Sequence, residues 1–535
     1  MISRRFPSRS MAASRHTGGF TLVELLVSVA LVALMMLLFA QVFQMAAGSV
    51  TQQKGMAELD QRERMLVTIL RGDLDQRSFR IVSPFPSGLT SLPSPLPAGF
   101  SMDDRRGYLS ISENDINDNT DDVLQFTIEQ DPTDADSREE LPFSGRATLL
   151  KYSGDDPDDY DTESERNSQL LAALNQPEFD DGVGLENGVG SSKAAEVSYF
   201  LRNGTLYRRV LLIRDKFTDP TETDRQPEQL ANGVNYGTSY VGSLTSATEP
   251  GTGNGTFWHD FDYSAYYYTS SSVDRLRFNH IGALDNNPAG ASSLGAITEF
   301  GNVPRSLGIP HLRFGHGLFA NDGTTVLDGR PREYDSSSPA KWIGRYTMRE
   351  TADPAFGYPG RIPQVSGSDA SPMDPATTVT INGEGVVDEY DDGDRGGEDI
   401  LLTNVHEFDI KVFDDYVEDQ NGNGTLDSGE YDNGNGTLDS LNKFVDLGHS
   451  ETSGGTPVGY YHSSKNEGSQ GNRFDTWHPS MPSGFPPPYR ATRPGSAGTW
   501  PDDEAPLRAI LIRIRYLDVK SNQMRQVTMG YTFSK

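Results

Sequence analysis

The chain has 535 residues, of which 76 are acidic and 46 are basic, so its formal net charge is −30. This charge argues against nucleic acid as a partner, because neutralising a phosphate backbone requires a basic surface. Cysteine is absent, which excludes a disulfide scaffold, cysteine-ligated zinc, an iron–sulfur cluster and a thiol nucleophile.

The N-terminus combines a basic segment with an apolar one. Residues 1–19 contain four arginines and no acid, and the stretch from Phe20 to Ala40 contains one charged residue, Glu24. About 20 apolar residues are enough for a helix to cross a bilayer. The basic flank predicts a cytoplasmic N-terminus, with the rest of the chain on the other side of the membrane.

Small residues precede the apolar stretch instead of following it. In an ordinary secretory signal, the small residues at the cleavage site come after the apolar core. Here Gly18 and Gly19 stand before it, so cleavage at this pair leaves the apolar helix on the mature protein.

The segment from Gly19 to Glu24, GFTLVE, resembles the prepilin peptidase site of type IV pilins and of type II secretion pseudopilins. The resemblance implies that the peptide bond after Gly19 is cut on the cytoplasmic side of the membrane. It also implies that the new N-terminal residue, Phe20, is N-methylated. Glu24, at the fifth mature position, is then expected to set the register of each subunit against its neighbour.

Glu24 is also unusual on physical grounds. A lone carboxylate within a membrane helix is energetically costly and is usually functional. We expect the α-amine of an adjacent subunit as its partner. The alternative is a plain membrane anchor in which Glu24 lies at the level of the lipid headgroups.

The helix is predicted to continue beyond the membrane. Apolar residues recur at a spacing of three or four, which gives one face that can pack on a core; they are Leu59, Met65, Leu66, Ile69, Leu70 and Leu74. We therefore predict a leader at 1–19, a transmembrane helix at 20–47 and a continuation at 48–82 that packs on a head. Residues 61–76 also resemble the corresponding helix of the J-type minor pseudopilins.

Residues 83–535 are predicted to form a β-rich periplasmic head, which makes the fold class α+β and pilin-like, with long loops. The 54 glycines and 32 prolines favour turns over long helices. Asn203-Gly204 between two β-forming runs predicts a hairpin. Further strands are predicted at 121–128, 274–278, 405–413, 509–516 and within 525–533.

The order of these elements again resembles J-type pseudopilins. The shared features are the helix, the hairpin with V-x-Y and N-G-x-L-Y-R, a V-x-x-F-x-I strand and a closing strand after Pro506. The chain is much longer than such heads, and we assign most of the excess to an insertion at 217–400. Large pilin-like proteins also occur in the Verru_Chthon cassettes of Verrucomicrobia, and the chain is similar to the cassette protein C type.

Residues 417–442 contain two loops that resemble the calcium loop of EF-hands. Residues 419–430 match D-x-[DN]-x-[DN]-G-x₅-E, a ring of oxygen ligands suited to Ca²⁺; the predicted ligands are Asp419, Asn421, Asn423, Thr425 through its carbonyl, Asp427 and Glu430. The unit NGNGTLDS recurs twelve residues later in a degraded copy, whose weaker candidate ligands are Asp432, Asn433, Asn435 and Asp439. We expect calcium to have a structural role here. A solvated glycine- and asparagine-rich turn is the alternative.

Three other acidic runs, at 113–122, 155–165 and 388–399, are predicted to be solvated loops, with cation binding as the alternative. No nucleophile elbow, HExxH, Walker A motif or dinucleotide-binding glycine motif occurs. We therefore do not expect an enzyme.

The sequence thus predicts a minor pseudopilin-like subunit that works by assembly. Its single-pass helix, through residues 20–40, is expected to hold it in the bacterial inner membrane with the head in the periplasm. The expected partners are other pilin or pseudopilin subunits, the prepilin peptidase and the inner-membrane assembly platform. Two alternatives remain: a minor type IV pilin in adhesion or uptake, and a membrane-anchored surface enzyme or carbohydrate-binding protein that uses a pilin-type leader.

Overall fold

The structure is a computed structural model. It describes residues 19, 21–79, 107–113, 116–130, 143–146, 189–202, 204–213, 262–270, 273–279, 307, 313, 399–428, 430, 432, 434–465, 472–476, 506–519 and 522–533. These residues form one long N-terminal helix and an antiparallel β-rich region, which confirms the α+β fold class. The chain divides into two compact units, Met1–Glu63 with Val519–Asn522, and Arg64–Asp518 with Gln523–Lys535.

The helix α1 runs from Leu22 to Asp75 and has 54 residues. Its N-terminal part is long and apolar enough to cross a membrane. We predicted a helix that reaches residue 82, and this end point is wrong. After Gln76 the backbone becomes extended: Arg77 forms an antiparallel bridge with Ile128, and the Ser78 amide donates to the carbonyl of Thr127 at 3.0 Å. The segment that follows the helix therefore joins a sheet instead of prolonging α1.

The described part of the head contains sixteen strands, β1 (Leu109–Glu113), β2 (Val123–Glu129), β3 (Phe143–Arg146), β4 (Val189–Ser192), β5 (Ala194–Arg202), β6 (Thr205–Leu212), β7 (Ala265–Ser270), β8 (Val273–Phe278), β9 (Ile400–Thr403), β10 (Val405–Asp414), β11 (Lys443–Val445), β12 (Thr452–Ser453), β13 (Thr456–Pro457), β14 (Asn472–Asp475), β15 (Ala509–Asp518) and β16 (Gln523–Thr532).

Two sheets dominate this part of the head. The larger has six strands in the order β14-β1-β2-β5-β6-β9, and every neighbouring pair is antiparallel. The smaller has four antiparallel strands in the order β11-β10-β15-β16. Three two-stranded ribbons, β3-β4, β7-β8 and β12-β13, accompany them.

The four-stranded sheet shows the alternation expected of a sheet with one buried face. In β15, Ile510, Ile512 and Ile514 are buried, whereas Arg513 and Arg515 between and after them are more exposed. All six strand predictions coincide with observed strands, at β2, β5 with β6, β8, β10, β15 and β16.

Between β9 and β10, the chain passes from the six-stranded sheet to the four-stranded sheet at a single residue. Asn404 lies between β9 of the six-stranded sheet and β10 of the four-stranded sheet, and its φ is 58°. Asparagine tolerates this left-handed conformation better than most residues. Asn404 also accepts a hydrogen bond from the amide of Leu517 at 2.8 Å, which ties the junction to β15.

Within the predicted insertion at 217–400, the described residues include the β7-β8 ribbon. The acidic run at 155–165 lies outside the described residues, as does 388–398 of the third acidic run. The boundaries predicted for the leader, the membrane span and the insertion remain predictions.

Candidate functional site

The start of α1 is fixed by a reciprocal pair of side chains. The Thr21 amide and hydroxyl both donate to Oε2 of Glu24, at 3.0 and 2.9 Å, and the Glu24 amide donates back to the Thr21 hydroxyl at 3.3 Å. This is a capping box, in which two amides that the helix leaves unsatisfied find partners. The sequence analysis did not identify this capping box, although T-x-x-E before an apolar run is the signature of one.

The predicted processing residues flank this cap. Gly19 is exposed and lies two residues before the capping threonine. Phe20 lies outside the described residues. The partner expected for Glu24, an α-amine from an adjacent subunit, remains a prediction, because the structure contains one chain in which Glu24 binds Thr21.

The side chains of the apolar part of α1 are exposed from Leu22 to Val50. Large side chains such as Leu22, Met36 and Phe43 are at least 70% exposed. A continuous apolar surface of this length calls for a non-aqueous environment or for other apolar helices.

The C-terminal part of α1 is buried along one stripe. Leu66, Leu70 and Leu74 are at most 2% exposed and recur every four residues, so they lie on one face of the helix. Met65 was predicted on the same face but is 59% exposed. The adjacent residue, Leu66, occupies the buried stripe. Successive residues of a helix are about 100° apart around its axis, so Met65 points away from that stripe.

A carboxylate on the buried stripe binds the β5-β6 hairpin. Asp73 is 5% exposed and accepts two hydrogen bonds from Arg208, one from Nε and one from Nη2, each at 2.7 Å. The Tyr199 hydroxyl also donates to Asp73. Burial and the nearby Asp73 charge raise the pKa of Tyr199 well above its usual value, so the hydroxyl keeps its proton as a donor. A two-pronged arginine–carboxylate contact of this kind fixes orientation as well as distance.

The last turn of α1 is capped by β16. The Tyr531 hydroxyl donates to the carbonyl of Leu74 at 2.9 Å and lies 3.0 Å from the Asp75 carboxylate. Nη1 of Arg77 donates to the Tyr531 hydroxyl at 2.6 Å. These contacts satisfy a carbonyl that the helix end leaves free.

Asp73, Tyr199 and Arg208 were not identified from the sequence as interacting residues. One signal was available: Asp73 stands seven residues after Leu66 and three after Leu70, so it lies on the apolar face where a carboxylate needs a partner. The partners belong to the V-x-Y and L-Y-R segments of the β5-β6 hairpin.

The first predicted calcium loop lies in the connection between β10 and β11. The Asp419 carboxylate accepts from the amides of Asn423 and Gly424, at 3.1 and 2.6 Å. Glu430 accepts from the amides of Asn421 and Asp427, at 3.1 and 2.9 Å. The first and last predicted ligands therefore close the loop into a ring.

The middle of this loop turns its side chains inward. Asp427 Oδ2 accepts from the amide nitrogens of Asn421 and Asn423, at 2.9 and 2.6 Å. Asn423 Oδ1 accepts from the backbone amide of Thr425 at 2.7 Å. Gly424 has a φ of 78°, which favours glycine at the sixth position. The donor set is entirely oxygen and suits Ca²⁺, provided that both amides turn from donating to Asp427 to offering their oxygens.

The degraded copy folds in a similar way. The Asn435 Oδ1 accepts from the Thr437 amide at 2.7 Å, and its Nδ2 donates to Asp439 at 2.6 Å and to the carbonyl of Ser453 at 3.2 Å. Asp432 accepts from the Gly434 amide at 2.7 Å. Asn433 lies outside the described residues. The two loops have a common base, where Val417 forms an antiparallel bridge with Ser440.

The acidic run at 113–122 was predicted to be a solvated loop, and this is wrong for its two ends, although Asn117 and Thr120 within it are exposed. Glu113 and Asp122 are 3% and 2% exposed. Burial, together with the negative charges of Asp121, Asp446 and Asp409, raises the pKa of Glu113 to about 9. Glu113 ends β1, and Asp122 directly precedes β2 and faces β10, so the sheets exclude solvent from both.

A comparison with protein-family models matches residues 14–40 to the prokaryotic N-terminal methylation motif. The chain therefore carries the prepilin-type N-terminal segment of type IV pilins and pseudopilins, followed by a helix that can span a membrane. This segment implies processing by a prepilin peptidase and assembly with other pilin subunits. No curated protein and no solved structure matches the chain.

Proposed function

We propose that the chain is a minor pseudopilin-like structural subunit of a type II secretion or type IV pilus-like assembly. One observation carries this proposal: the N-terminal methylation motif leads without interruption into a helix whose last turns are fastened to a β-rich head. An exposed apolar helix provides the surface by which such a subunit packs with others. Because the end of the helix is attached to the head, the place of the helix in the fibre also determines the place of the head.

In this proposal, the peptidase cuts after Gly19 and Phe20 is then methylated. The helix resides in the bacterial inner membrane with its basic flank in the cytoplasm and the head in the periplasm. The inner-membrane assembly platform then takes the subunit into the fibre. Glu24 exchanges its contact with Thr21 for the methylated amine of a neighbouring subunit, which removes an isolated charge from the membrane.

We also propose that the loop 419–430 binds calcium, with the degraded loop as a weaker site. Support comes from the ring of side-chain oxygens and from the glycine geometry. The chemistry that the ion supplies is charge neutralisation: Asp419, Asp427 and Glu430 gather three negative charges at the tip of one hairpin. A bound cation offsets their repulsion and rigidifies the tip.

The assembly proposal is tested with Glu24→Gln in the native host. The wild-type chain, extracted from membranes after mild crosslinking, is expected to co-purify with other N-methylated subunits. Glu24→Gln is expected to be cleaved normally and to lose most of this co-purification. Glu63→Gln makes the same change later in α1 and serves as the matched control.

Two results would contradict the assembly role. One is a Glu24→Gln chain that co-purifies with other subunits as well as the wild type does. The other is a wild-type chain that is processed and yet is never recovered with another methylated subunit.

A further inference from the structure

A second group of carboxylates lies inside the head, away from the loop at 419–430. Oxygens of Glu113, Asp121 and Asp122 all lie within 4.8 Å of one another. Glu113 also belongs to a similar trio with Asp409 of β10 and Asp446, which follows β11. The five residues come from both sheets, and the β1-β2 connection brings three of them together.

One oxygen in this group has no partner among the described residues. Asp122 is 2% exposed; its Oδ2 accepts from the Ile410 amide at 2.5 Å, whereas its Oδ1 is buried without a hydrogen bond. An unsatisfied carboxylate oxygen is energetically costly in a buried environment. A buried acceptor without a donor therefore marks a place where a cation fits.

The nearby cationic side chains form ion pairs with Asp409 and Asp446 of the second trio. Nη2 of Arg513 lies 2.7 Å from Asp409 Oδ2, and Lys411 pairs with Asp446 and lies 3.7 Å from Asp409. Within the described part of the head, Glu113 and Asp122 make no ion pair. These ion pairs therefore involve Asp409 and Asp446 of the second trio.

We propose that Glu113, Asp121 and Asp122 bind a calcium ion that fastens the β1-β2 connection of the six-stranded sheet to β10 of the four-stranded sheet. Two oxygens bound to one Ca²⁺ at 2.3–2.6 Å are at most about 5 Å apart, which accommodates the 4.8 Å limit within the trio. The connection already contacts β10 through the Asp122–Ile410 bond and through the Phe408 amide, which donates to the Asn119 carbonyl at 2.8 Å.

Calcium fits this site better than magnesium. Magnesium requires nearly regular octahedral geometry and keeps several of its waters, whereas calcium accepts irregular sets of carboxylate oxygens. Glu113 and Asp122 are 3% and 2% exposed, which leaves little room for a retained water shell on their side of the site. The three side chains lie at successive points of one strand end and turn, which gives an irregular arrangement.

The test uses the full chain in detergent with the hairpin loops silenced by Asp419→Asn, Asp427→Asn, Glu430→Gln, Asp432→Asn and Asp439→Asn. After treatment with EGTA and dialysis against micromolar calcium, bound calcium is measured by atomic emission. The loop-silenced chain is expected to retain one calcium per molecule and to melt at a higher temperature in calcium than in EGTA. Adding Asp122→Asn is expected to weaken binding at least tenfold and to abolish the calcium-dependent shift in melting temperature.

Control variants separate this site from general effects of charge. Glu451→Gln, a change in an exposed carboxylate of the same head, is expected to leave the calcium content of the loop-silenced chain unchanged. A loop-silenced chain that binds no calcium overturns the proposal, and this result does not depend on whether the Asp122 variant folds. Equal stabilisation by magnesium overturns the choice of calcium. If the buried carboxylates only repel one another, Glu113→Gln will raise the melting temperature in EGTA and leave the calcium-dependent shift intact, which also contradicts the site.

Discussion

Glu24 has a defined partner within its own chain. Its carboxylate is held by the amide and the hydroxyl of Thr21, so the first helical turn is stabilised before any neighbour arrives. Cleavage after Gly19 leaves this pair intact, because Thr21 becomes the second residue of the mature chain. A neighbouring amine therefore competes with a hydrogen-bonded carboxylate and not with a free one.

The Asp73 carboxylate is expected to dominate the attachment of the helix to the hairpin. In Asp73→Asn, Arg208 loses its charge partner in a largely buried place, and we expect the free energy of unfolding to fall by about 2–3 kcal/mol. Urea unfolding of the full chain in detergent, followed by tryptophan fluorescence, measures this loss.

An exposed ion pair in the same head provides the control. Lys443 and Glu451 lie 2.7 Å apart with side chains that are about half exposed. Glu451→Gln is expected to change the free energy of unfolding by less than about 0.5 kcal/mol. Equal effects of the two substitutions would mean that Asp73 contributes no more than a surface contact.

At the scale of elements, α1 has one buried face in its C-terminal part. Leu70 has no exposed surface, whereas Met65 on the same helix is 59% exposed. Leu70→Ala is expected to lower the free energy of unfolding by about 3 kcal/mol, because it removes buried methyl groups and leaves a cavity. Met65→Ala should cost less than about 0.5 kcal/mol. A similar loss in both variants, measured by the same urea titration, would show that this helix face is not packed.

Replacement of glycine by alanine is expected to have opposite effects on stability at two positions. Gly424 has a φ of 78°, so Gly424→Ala forces a side chain into the left-handed region, and we expect a loss of about 1 kcal/mol and weaker calcium binding by the loop. Gly72 lies within α1 with nothing within 4 Å of an added Cβ, so Gly72→Ala should stabilise by up to about 1 kcal/mol.

Thermal unfolding in detergent and calorimetric titration with calcium measure these two effects. A Gly424→Ala chain with unchanged melting temperature and calcium affinity would contradict the role given to the loop geometry. Destabilisation by Gly72→Ala would contradict the open helical surface.

At the scale of the whole molecule, local sequence patterns predicted the helix and the strands. The end of the helix and the burial of acidic residues depend on contacts between residues distant in sequence, which local patterns do not contain. The Asn203-Gly204 turn and the alternation in β15 were readable, because each depends on residues adjacent in the chain. The helix end was not readable, because Arg77 leaves the helix to pair with Ile128, which lies far along the chain.

Burial of the two ends of the acidic run was hidden for the same reason. The residues around Glu113 and Asp122 have the composition of a solvated loop, and the Ile410 amide that binds Asp122 lies 288 residues away. The passage from β9 of one sheet to β10 of the other was equally hidden, since it depends on the conformation of Asn404 between two apolar strands. By contrast, the methylation motif is contiguous and was identified from GFTLVE.

The central claim is that the N-terminus is processed as a prepilin and that the helix thereby becomes available for assembly. The most direct measurement is the mass of the N-terminal peptide of the chain purified from its native membranes. We predict a peptide that begins at Phe20 and carries one added methyl group. An uncleaved leader, or a new N-terminus after Ala40, would contradict the account.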